Sequence, residues 1–191
     1  MSSDMLFSET LVQSLRQGHL AVIPTDTLYG IVCLAHSPEA VAELYRVRGR
    51  DPDKPCIILI DDIAALSHFG IALTAADTQA LKKVWPGPVS VVFDCPSPEY
   101  RYLHRGTETL AFRMPADDEL RTLLRNTGPL LAPSANPEGQ QPARTVPEAK
   151  RYFGAGVLSY VDGGRRESLP STVARLRGGV FEILRQGKTV L

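Results

Sequence analysis

Apolar positions along this chain change repeatedly between the spacing of helices and the spacing of strands. Leu11, Val12 and Leu15 share one face of a predicted helix that ends at Gly18. The continuous apolar run at 20–23 has the length of a buried strand, and Pro24 ends it because proline cannot donate a ladder hydrogen bond. The apolar run at 31–34 predicts the next strand.

The alternation continues to the end of the chain. Capping and periodicity signals predict further helices at 38–48 and 74–84, around Leu120, Leu123 and Leu124, and from 145 onward, where Thr145 and Glu148 are predicted to form a capping box. Short apolar runs predict strands at 56–60, 89–93, 110–112, 130–132, 157–161, 172–176 and 180–184. Gly178-Gly179 predicts a hairpin turn, and the proline-containing polar stretch 95–108 is interpreted as a long loop. We therefore predict an α+β fold, with helices covering a mixed sheet, in a single domain over residues 1–191.

Composition excludes several classes of protein. The 191 residues are 43% hydrophobic and 22% charged, which suits a globular domain. Twenty-one basic residues balance twenty-one acidic residues, and a net charge of zero disfavours a protein that coats nucleic acid. We find no signal-peptide pattern and no apolar run near the ~20 residues that span a bilayer, so we expect a cytoplasmic protein without membrane contact. Cys33, Cys56 and Cys95 are expected to be buried thiols.

Polar side chains follow the first predicted strand in the segment Pro24-Thr25-Asp26-Thr27-Leu28-Tyr29-Gly30. Loops held between strand ends position binding groups rigidly. Threonine and aspartate also satisfy backbone groups in ordinary turns. Taken alone, these residues favour neither interpretation.

Basic residues are concentrated at the end of the second predicted helix and in the loop after it, namely Arg46, Arg48, Arg50 and Lys54. Gly49 lets the backbone bend, so that two guanidinium groups converge on one phosphate or carboxylate. The alternative is a solvated basic helix end, favoured by the helix dipole.

Further polar groups lie near strand ends. Ser134 and Asn136, flanked by prolines, serve either a ligand or a local turn. Arg113 and Arg185 each end an apolar strand, and a buried arginine needs an anionic partner. That partner is either a structural carboxylate or a bound anion. Ser171 adds a hydroxyl just before another strand.

Common catalytic signatures are absent from the sequence. It contains no phosphate-binding P-loop, no dinucleotide fingerprint, no HExxH zinc motif and no GxSxG nucleophile elbow. Basic and aromatic residues mix at 101–105, a composition compatible with RNA contact. A mobile polar surface loop is the favoured interpretation of that stretch.

Seven motifs occur in one order, namely PTDTLYG, RGR followed by DK, WPGP, AFRMP, APSAN, STV and LRQG. This series resembles the short form of the YrdC-like threonylcarbamoyl-AMP synthases, from about Val22 to Gly187. The resemblance implies a three-layer domain, in which helices cover a twisted mixed parallel and antiparallel sheet around an open central cavity. It also implies a nucleotidyltransferase that converts L-threonine, bicarbonate and ATP to threonylcarbamoyl-AMP and pyrophosphate.

The resemblance also implies roles for individual residues. Arg48 and Arg50 correspond to the catalytic basic pair that holds the ATP phosphates, although the family usually has lysine at the first position. The residues expected to bind threonine are Thr27, Arg113, Ser134 and Ser171, with Thr25 and Tyr29 shaping the pocket. The residues expected to bind ATP are Arg50, Lys54, Thr109, Asn136, Arg144 and Arg185.

Cofactor and partners follow from the same resemblance. Mg²⁺ is expected to be held through the ATP phosphates, with no metal site formed by the protein. The product is expected to pass to a tRNA threonylcarbamoyl transferase, which modifies the adenosine beside the anticodon, and weak RNA binding is compatible with this role. Two alternatives stay open: a non-catalytic RNA-binding or ribosome-assembly protein that uses the same basic cavity, and a family paralogue with altered chemistry.

Overall fold

A computed structural model describes residues 6–191. Its α-helices are α1 Glu9–Arg16, α2 Pro38–Arg48, α3 Ala75–Val84, α4 Arg101–His104, α5 Asp118–Thr127 and α6 Val146–Phe153. Its strands are β1 Ala21–Pro24, β2 Tyr29–Leu34, β3 Ile57–Leu59, β4 Val89–Asp94, β5 Thr109–Arg113, β6 Leu130–Leu131, β7 Ser159–Tyr160, β8 Thr172–Arg177 and β9 Val180–Arg185. Short 3₁₀ helices span Ile63–Phe69, Pro98–Tyr100 and Gly154–Gly156.

The nine strands form one sheet in the order β7-β1-β2-β6-β3-β5-β4-β8-β9. The pairs β7–β1, β3–β5 and β4–β8 are parallel, and the other neighbours are antiparallel. This arrangement confirms the predicted α+β fold with a mixed sheet. The β8–β9 hairpin turns at Gly178 and Gly179, which both have positive φ as a tight hairpin turn requires.

Helices cover the two faces of the sheet unequally. Successive strand residues point to opposite faces, so on β3 Leu59 joins one apolar cluster and Ile58 the other. The first cluster contains Leu15 of α1 together with residues of α5, and the second contains Leu44 of α2 together with residues of α3 and α6. The α1–α5 layer stops at β3, which leaves the same face of β5 and β8 open. This gap is where a ligand has access to the sheet.

Three local predictions were wrong. The stretch 95–108 is not a long loop, because Tyr100 and Leu103 are buried at helical spacing and the Tyr102 hydroxyl donates to the Ala35 carbonyl at 2.9 Å. The strand predicted at 157–161 is only two residues long. Thr145 caps α6, but the Glu148 carboxylate accepts from the Arg144 N–H, so the reciprocal half of the predicted capping box is missing.

Two simpler expectations concern cysteines and membranes. Cys33, Cys56 and Cys95 are free and buried, as predicted. Within residues 6–191, no helix has both the length and the apolar character needed to cross a membrane.

Candidate active site

A cavity of about 680 Å³ lies on the open part of the sheet, within the size range of small-molecule pockets. The charged side chains that line it are Arg50, Arg113, Arg144, Arg166, Arg185 and Glu167. Five guanidinium groups and one carboxylate give a strongly positive cavity in a chain of zero net charge. Such a cavity concentrates anionic ligands.

Arg113 lies at the end of β5, beneath the cavity, and is only 5% exposed. Its Nη1 donates to the Thr27 hydroxyl at 2.9 Å, and its Nη2 lies 3.2 Å from Asp26 Oδ1. Burial lowers the pKa of the Arg113 guanidinium, and the Asp26 carboxylate opposes that shift. Asp26 is thus the structural partner that the sequence required. The buried Nε has no hydrogen-bond partner among the described residues.

The loop at 25–28 forms a turn beside the cavity. Thr25 Oγ1 accepts from the N–H groups of Thr27 and Leu28 and donates to the Leu28 carbonyl at 2.7 Å. These bonds are those of an ordinary polar turn. Thr27 accepts a hydrogen bond from Arg113, and both threonines line the cavity. The turn interpretation therefore holds for Thr25, and ligand binding by Thr27 stays a prediction.

The Tyr29 hydroxyl forms hydrogen bonds to the segment at residues 162–170, which the sequence patterns did not identify. Its hydroxyl donates to the Gly164 carbonyl at 2.7 Å and accepts from the Gly163 N–H at 3.0 Å. A Cβ on Gly163 would lie 2.6 Å from Pro24 Cγ, so only glycine fits there. Burial raises the pKa of Tyr29, which keeps the hydroxyl proton in place. The segment brings Arg166, Glu167 and Ser168 to the cavity wall.

The loop after β6 packs directly against β2. Ile31 N–H donates to the Pro133 carbonyl at 3.1 Å, and Ala135 N–H donates to the Tyr29 carbonyl at 2.8 Å. This pairing places Ser134 in the cavity lining. Asn136 lies outside the lining, where its Nδ2 donates to the carbonyls of Pro137 and Gln140 at 2.9 Å.

Arg48 and Arg50 have different environments, although one residue separates them. Arg48 is 3% exposed, lies outside the cavity lining and donates from Nε to the Asn136 carbonyl at 2.7 Å. Arg50 lines the cavity, and its Nε and Nη2 donate to the carbonyls of Lys54 and Pro55 at 3.0 and 2.9 Å. The solvated-end interpretation is therefore wrong for Arg48 and Arg50, and it holds for Arg46 and Lys54, whose side chains are largely exposed.

Glu138 forms ion pairs with the neighbouring cations Arg48, Arg50 and Lys54. Its carboxylate lies 3.1 Å from Lys54 Nζ, 3.4 Å from Arg50 Nη1 and 4.0 Å from Arg48 Nη1. The hydrogen bond from Lys54 is the main reason that the pKa of Glu138 is lowered. Lys54 itself is largely exposed and lies outside the cavity lining. No local pattern reveals these contacts, because Glu138 is more than 80 residues from its partners.

A β-bulge directs Arg185 into the cavity. Ile183 pairs with Ala174, but the register shifts at Val173, which lines the cavity and pairs with Arg185. Arg185 Nη2 then donates to the Ser171 carbonyl at 3.0 Å.

Two remaining predicted positions differ in their location. Arg144 lines the cavity and forms an ion pair with Glu167. Thr109 lies at the opposite end of β5 from Arg113, where its hydroxyl donates to the Thr107 hydroxyl at 3.2 Å.

The structure thus brings together most of the predicted site residues, which are Thr27, Arg50, Arg113, Ser134, Arg144, Ser171 and Arg185. It places four others outside the cavity lining, which are Arg48, Lys54, Thr109 and Asn136. The ligand contacts of all these residues stay predictions.

Comparison with known proteins gives consistent matches. Residues 13–187 match the Sua5/YciO/YrdC family, described as "Telomere recombination". A threonylcarbamoyl-AMP synthase of Thiobacillus denitrificans is 36% identical over 172 residues, which are 86% of this chain and 88% of the relative. One of Halorhodospira halophila is 32% identical over 150 residues, 78% of each chain. The structure of P. abyssi Sua5 complexed with L-threonine has a TM-score of 0.85 and 29% identity, and covers 93% of this chain and 53% of its own.

Tyr29→Phe tests how the segment at 162–170 is held. Removing the hydroxyl leaves a backbone N–H and a carbonyl without their partner, so we expect unfolding free energy to fall by about 1–2 kcal/mol. Limited proteolysis should then cut within 162–170 faster than in wild type. Tyr160→Phe is the matched control, since its hydroxyl donates to the Gly154 carbonyl on an exposed surface. Equal cleavage of both variants at 162–170 would contradict this role of Tyr29.

The lowered pKa of the Glu138 carboxyl group predicts that stability depends on pH. Its folded pKa lies below the unfolded value of about 4.3. The carboxylate therefore contributes stability above about pH 4.3, and this contribution is lost as the pH falls through the folded pKa. In urea unfolding between pH 7 and 3, Glu138→Gln should remove part of the acid destabilisation. Glu182→Gln, at an exposed position of β9, should keep the wild-type profile. Identical pH profiles for Glu138→Gln and wild type would refute the prediction.

Proposed function

The chain belongs to the Sua5/YciO/YrdC family, and we propose that it is a threonylcarbamoyl-AMP synthase. It converts L-threonine, bicarbonate and ATP to threonylcarbamoyl-AMP and pyrophosphate, for threonylcarbamoyladenosine modification of tRNA. One observation carries this conclusion. A buried arginine with a spare donor and several further arginines share one cavity, which suits a substrate carboxylate beside a polyphosphate.

We propose that threonine binds at the Arg113 end of the cavity. The Asp26 contact and the Thr27 hydroxyl hold the guanidinium in place, and the unpartnered Nε is available to the α-carboxylate. Ser134 and Ser171 line the same cavity and add hydroxyls for the neutral and polar parts of the amino acid.

The ATP phosphates are proposed to lie against Arg50, Arg144 and Arg185. Arg50 is fixed by two backbone carbonyls and Glu138, so its position is set before a ligand arrives. Arg166, on the segment held by Tyr29, adds a fifth guanidinium that the sequence did not indicate.

The residues outside the lining are assigned supporting roles. Arg48 binds the Asn136 carbonyl and so holds the loop that carries Ser134. Asn136 closes its own turn through its side-chain amide. We therefore propose that Arg48 and Asn136 also position the cavity wall. The catalytic contact expected of Arg48 and the ATP contacts expected of Lys54, Thr109 and Asn136 stay predictions.

The chemistry requires no covalent enzyme intermediate. Bicarbonate dissociates to CO₂ and hydroxide. The neutral amine of threonine attacks the carbon of CO₂, forms the N–C bond and gives a proton to that hydroxide, which leaves a carbamate and water. A carbamate oxygen then attacks the α-phosphorus of ATP, and the bond to the β-phosphate oxygen breaks as pyrophosphate leaves. Fixed guanidinium groups stabilise the negative charge that develops on the phosphates. Positioning the two reactants supplies much of the remaining rate.

Magnesium is proposed to enter as part of the ATP substrate. Among residues 6–191, no group of three or more His, Cys, Asp or Glu side chains is arranged to hold a metal ion. The donor set of the cavity fits a metal that is coordinated chiefly by phosphate oxygens and water, as Mg²⁺ prefers. When bound, the ion would neutralise phosphate charge.

Transfer of the product to a tRNA threonylcarbamoyl transferase remains part of the proposal, as does a cytoplasmic location. The alternative of a non-catalytic RNA-binding protein is disfavoured by the relatives, which are named threonylcarbamoyl-AMP synthases. Within the stretch 101–105, the Tyr102 hydroxyl is bonded to a backbone carbonyl, and Arg105 lies 3.8 Å from the centre of the Tyr45 ring. These groups pack onto the protein and are not free to stack on bases.

The deciding assay is pyrophosphate release from ATP with Mg²⁺, with and without L-threonine and bicarbonate. We expect release to need both co-substrates and to be accompanied by threonylcarbamoyl-AMP, detected by mass spectrometry. Release that is independent of threonine would reject the function.

A matched pair of variants locates the phosphate site in the same assay. Arg50→Lys should raise the KM for ATP at least about tenfold, because the fork that bonds two carbonyls and faces the cavity is lost. Arg177→Lys, at an exposed position of β8, should leave that KM unchanged.

A further inference from the structure

Two buried serine hydroxyls form a pair at the cavity wall. Ser90 Oγ and Ser171 Oγ are 2.8 Å apart, with residue exposures of 0% and 3%. Ser171 lines the cavity, and Ser90 lies behind it on β4. Among the described residues, each of these hydroxyls bonds only the other. Nothing in the sequence patterns pointed to Ser90.

The sheet register places this pair beside the proposed carboxylate site. The antiparallel β4–β5 register pairs Val91 with Phe112, so Ser90 lies next to Arg113 across the strands. On its other side, Ser90 pairs with Val173, whose side chain lines the cavity. A hydroxyl pair, a guanidinium and a methyl-bearing side chain are therefore adjacent on one face of the sheet.

We propose that Ser90 is a positioning residue that orients the Ser171 hydroxyl toward the β-hydroxyl of L-threonine, so that the site selects threonine over valine. This inference rests on the proposed function. It extends that function by naming the groups that distinguish the side chain of the amino acid.

The hydrogen-bonding capacity of the pair suits an alcohol. One serine donates to the other, which leaves one proton and free lone pairs for a ligand. A substrate hydroxyl both donates and accepts, whereas a carboxylate only accepts and is better matched by Arg113. Val173 offers an apolar contact for the threonine methyl group.

Valine has the shape of threonine but carries a methyl group in place of the hydroxyl. Bound valine would leave the serine pair unsatisfied in a buried site. Sites built to bond a substrate hydroxyl reject the analogue without it strongly, by factors of about 10⁴ or more in favourable cases. Without Ser90, the Ser171 hydroxyl rotates freely and this discrimination weakens.

The test measures kcat/KM for L-threonine and L-valine in wild type, Ser90→Ala and Ser90→Thr. Ser90→Ala should lower the ratio of kcat/KM for threonine to kcat/KM for valine at least about tenfold, chiefly because kcat/KM for threonine falls. The KM for ATP should stay within about twofold of wild type. Ser90→Thr retains a hydroxyl and should keep most of the ratio. The control is Ser14→Ala in α1, a buried serine remote from the cavity, which should change nothing.

An unchanged ratio in Ser90→Ala overturns the inference and leaves the proposed function intact. An equal fall in kcat/KM for threonine and for valine also overturns it, because such a fall indicates that Ser90 has a purely structural role. A wild-type protein without threonine-dependent pyrophosphate release overturns both proposals. If Ser90→Ala does not fold, Ser90→Cys keeps the volume with a much weaker hydrogen-bonding group, and the same criteria apply to it.

Discussion

The burial of one positive charge, Arg113, is the constraint on which the site depends. A guanidinium at the end of a buried strand is tolerated only with an opposite charge and hydrogen-bond acceptors close by. Asp26 and Thr27 provide these groups, and both come from the loop between β1 and β2. The loop must therefore fold over the end of β5. The unpartnered Nε leaves part of this cost uncompensated among the described residues.

In the rest of the cavity, hydrogen bonds hold irregular segments against the open face of the sheet. Tyr29 bonds the backbone at Gly163 and Gly164, and the loop that carries Ser134 is bonded to β2. Arg166 N–H donates to the Arg144 carbonyl at 2.8 Å and joins the segment at 162–170 to the entrance of α6. These bonds fix several guanidinium groups in place before a ligand arrives. Such preorganisation is the main means by which this type of site stabilises phosphate charge.

Local signals predicted the elements well where the stabilising contacts are local. Ser37 caps the N-terminus of α2 and Gly49 caps its C-terminus, as predicted. Thr74 and Asp77 form both halves of a capping box at α3. Contacts between residues far apart in the chain could not be predicted. The local sequence does not distinguish Arg48 from Arg50, but in the structure Arg48 donates to the Asn136 carbonyl and Arg50 contacts Glu138. The direction of a side chain at a bulge or a buried position depends on residues far away in the chain, and one sequence does not record that geometry.

The central claim is that Arg113 receives the carboxylate of threonine, and calorimetric titration tests it most directly. Wild type should bind L-threonine measurably and bind L-threoninol, which lacks the carboxylate, at least about tenfold more weakly, since a lost charge-assisted bond costs about 1.5–3 kcal/mol. Arg113→Lys should bind the two ligands with nearly equal affinity, because an ammonium group cannot reproduce the fork that Asp26 and Thr27 hold. Equal binding of L-threonine and L-threoninol by the wild type would contradict the account.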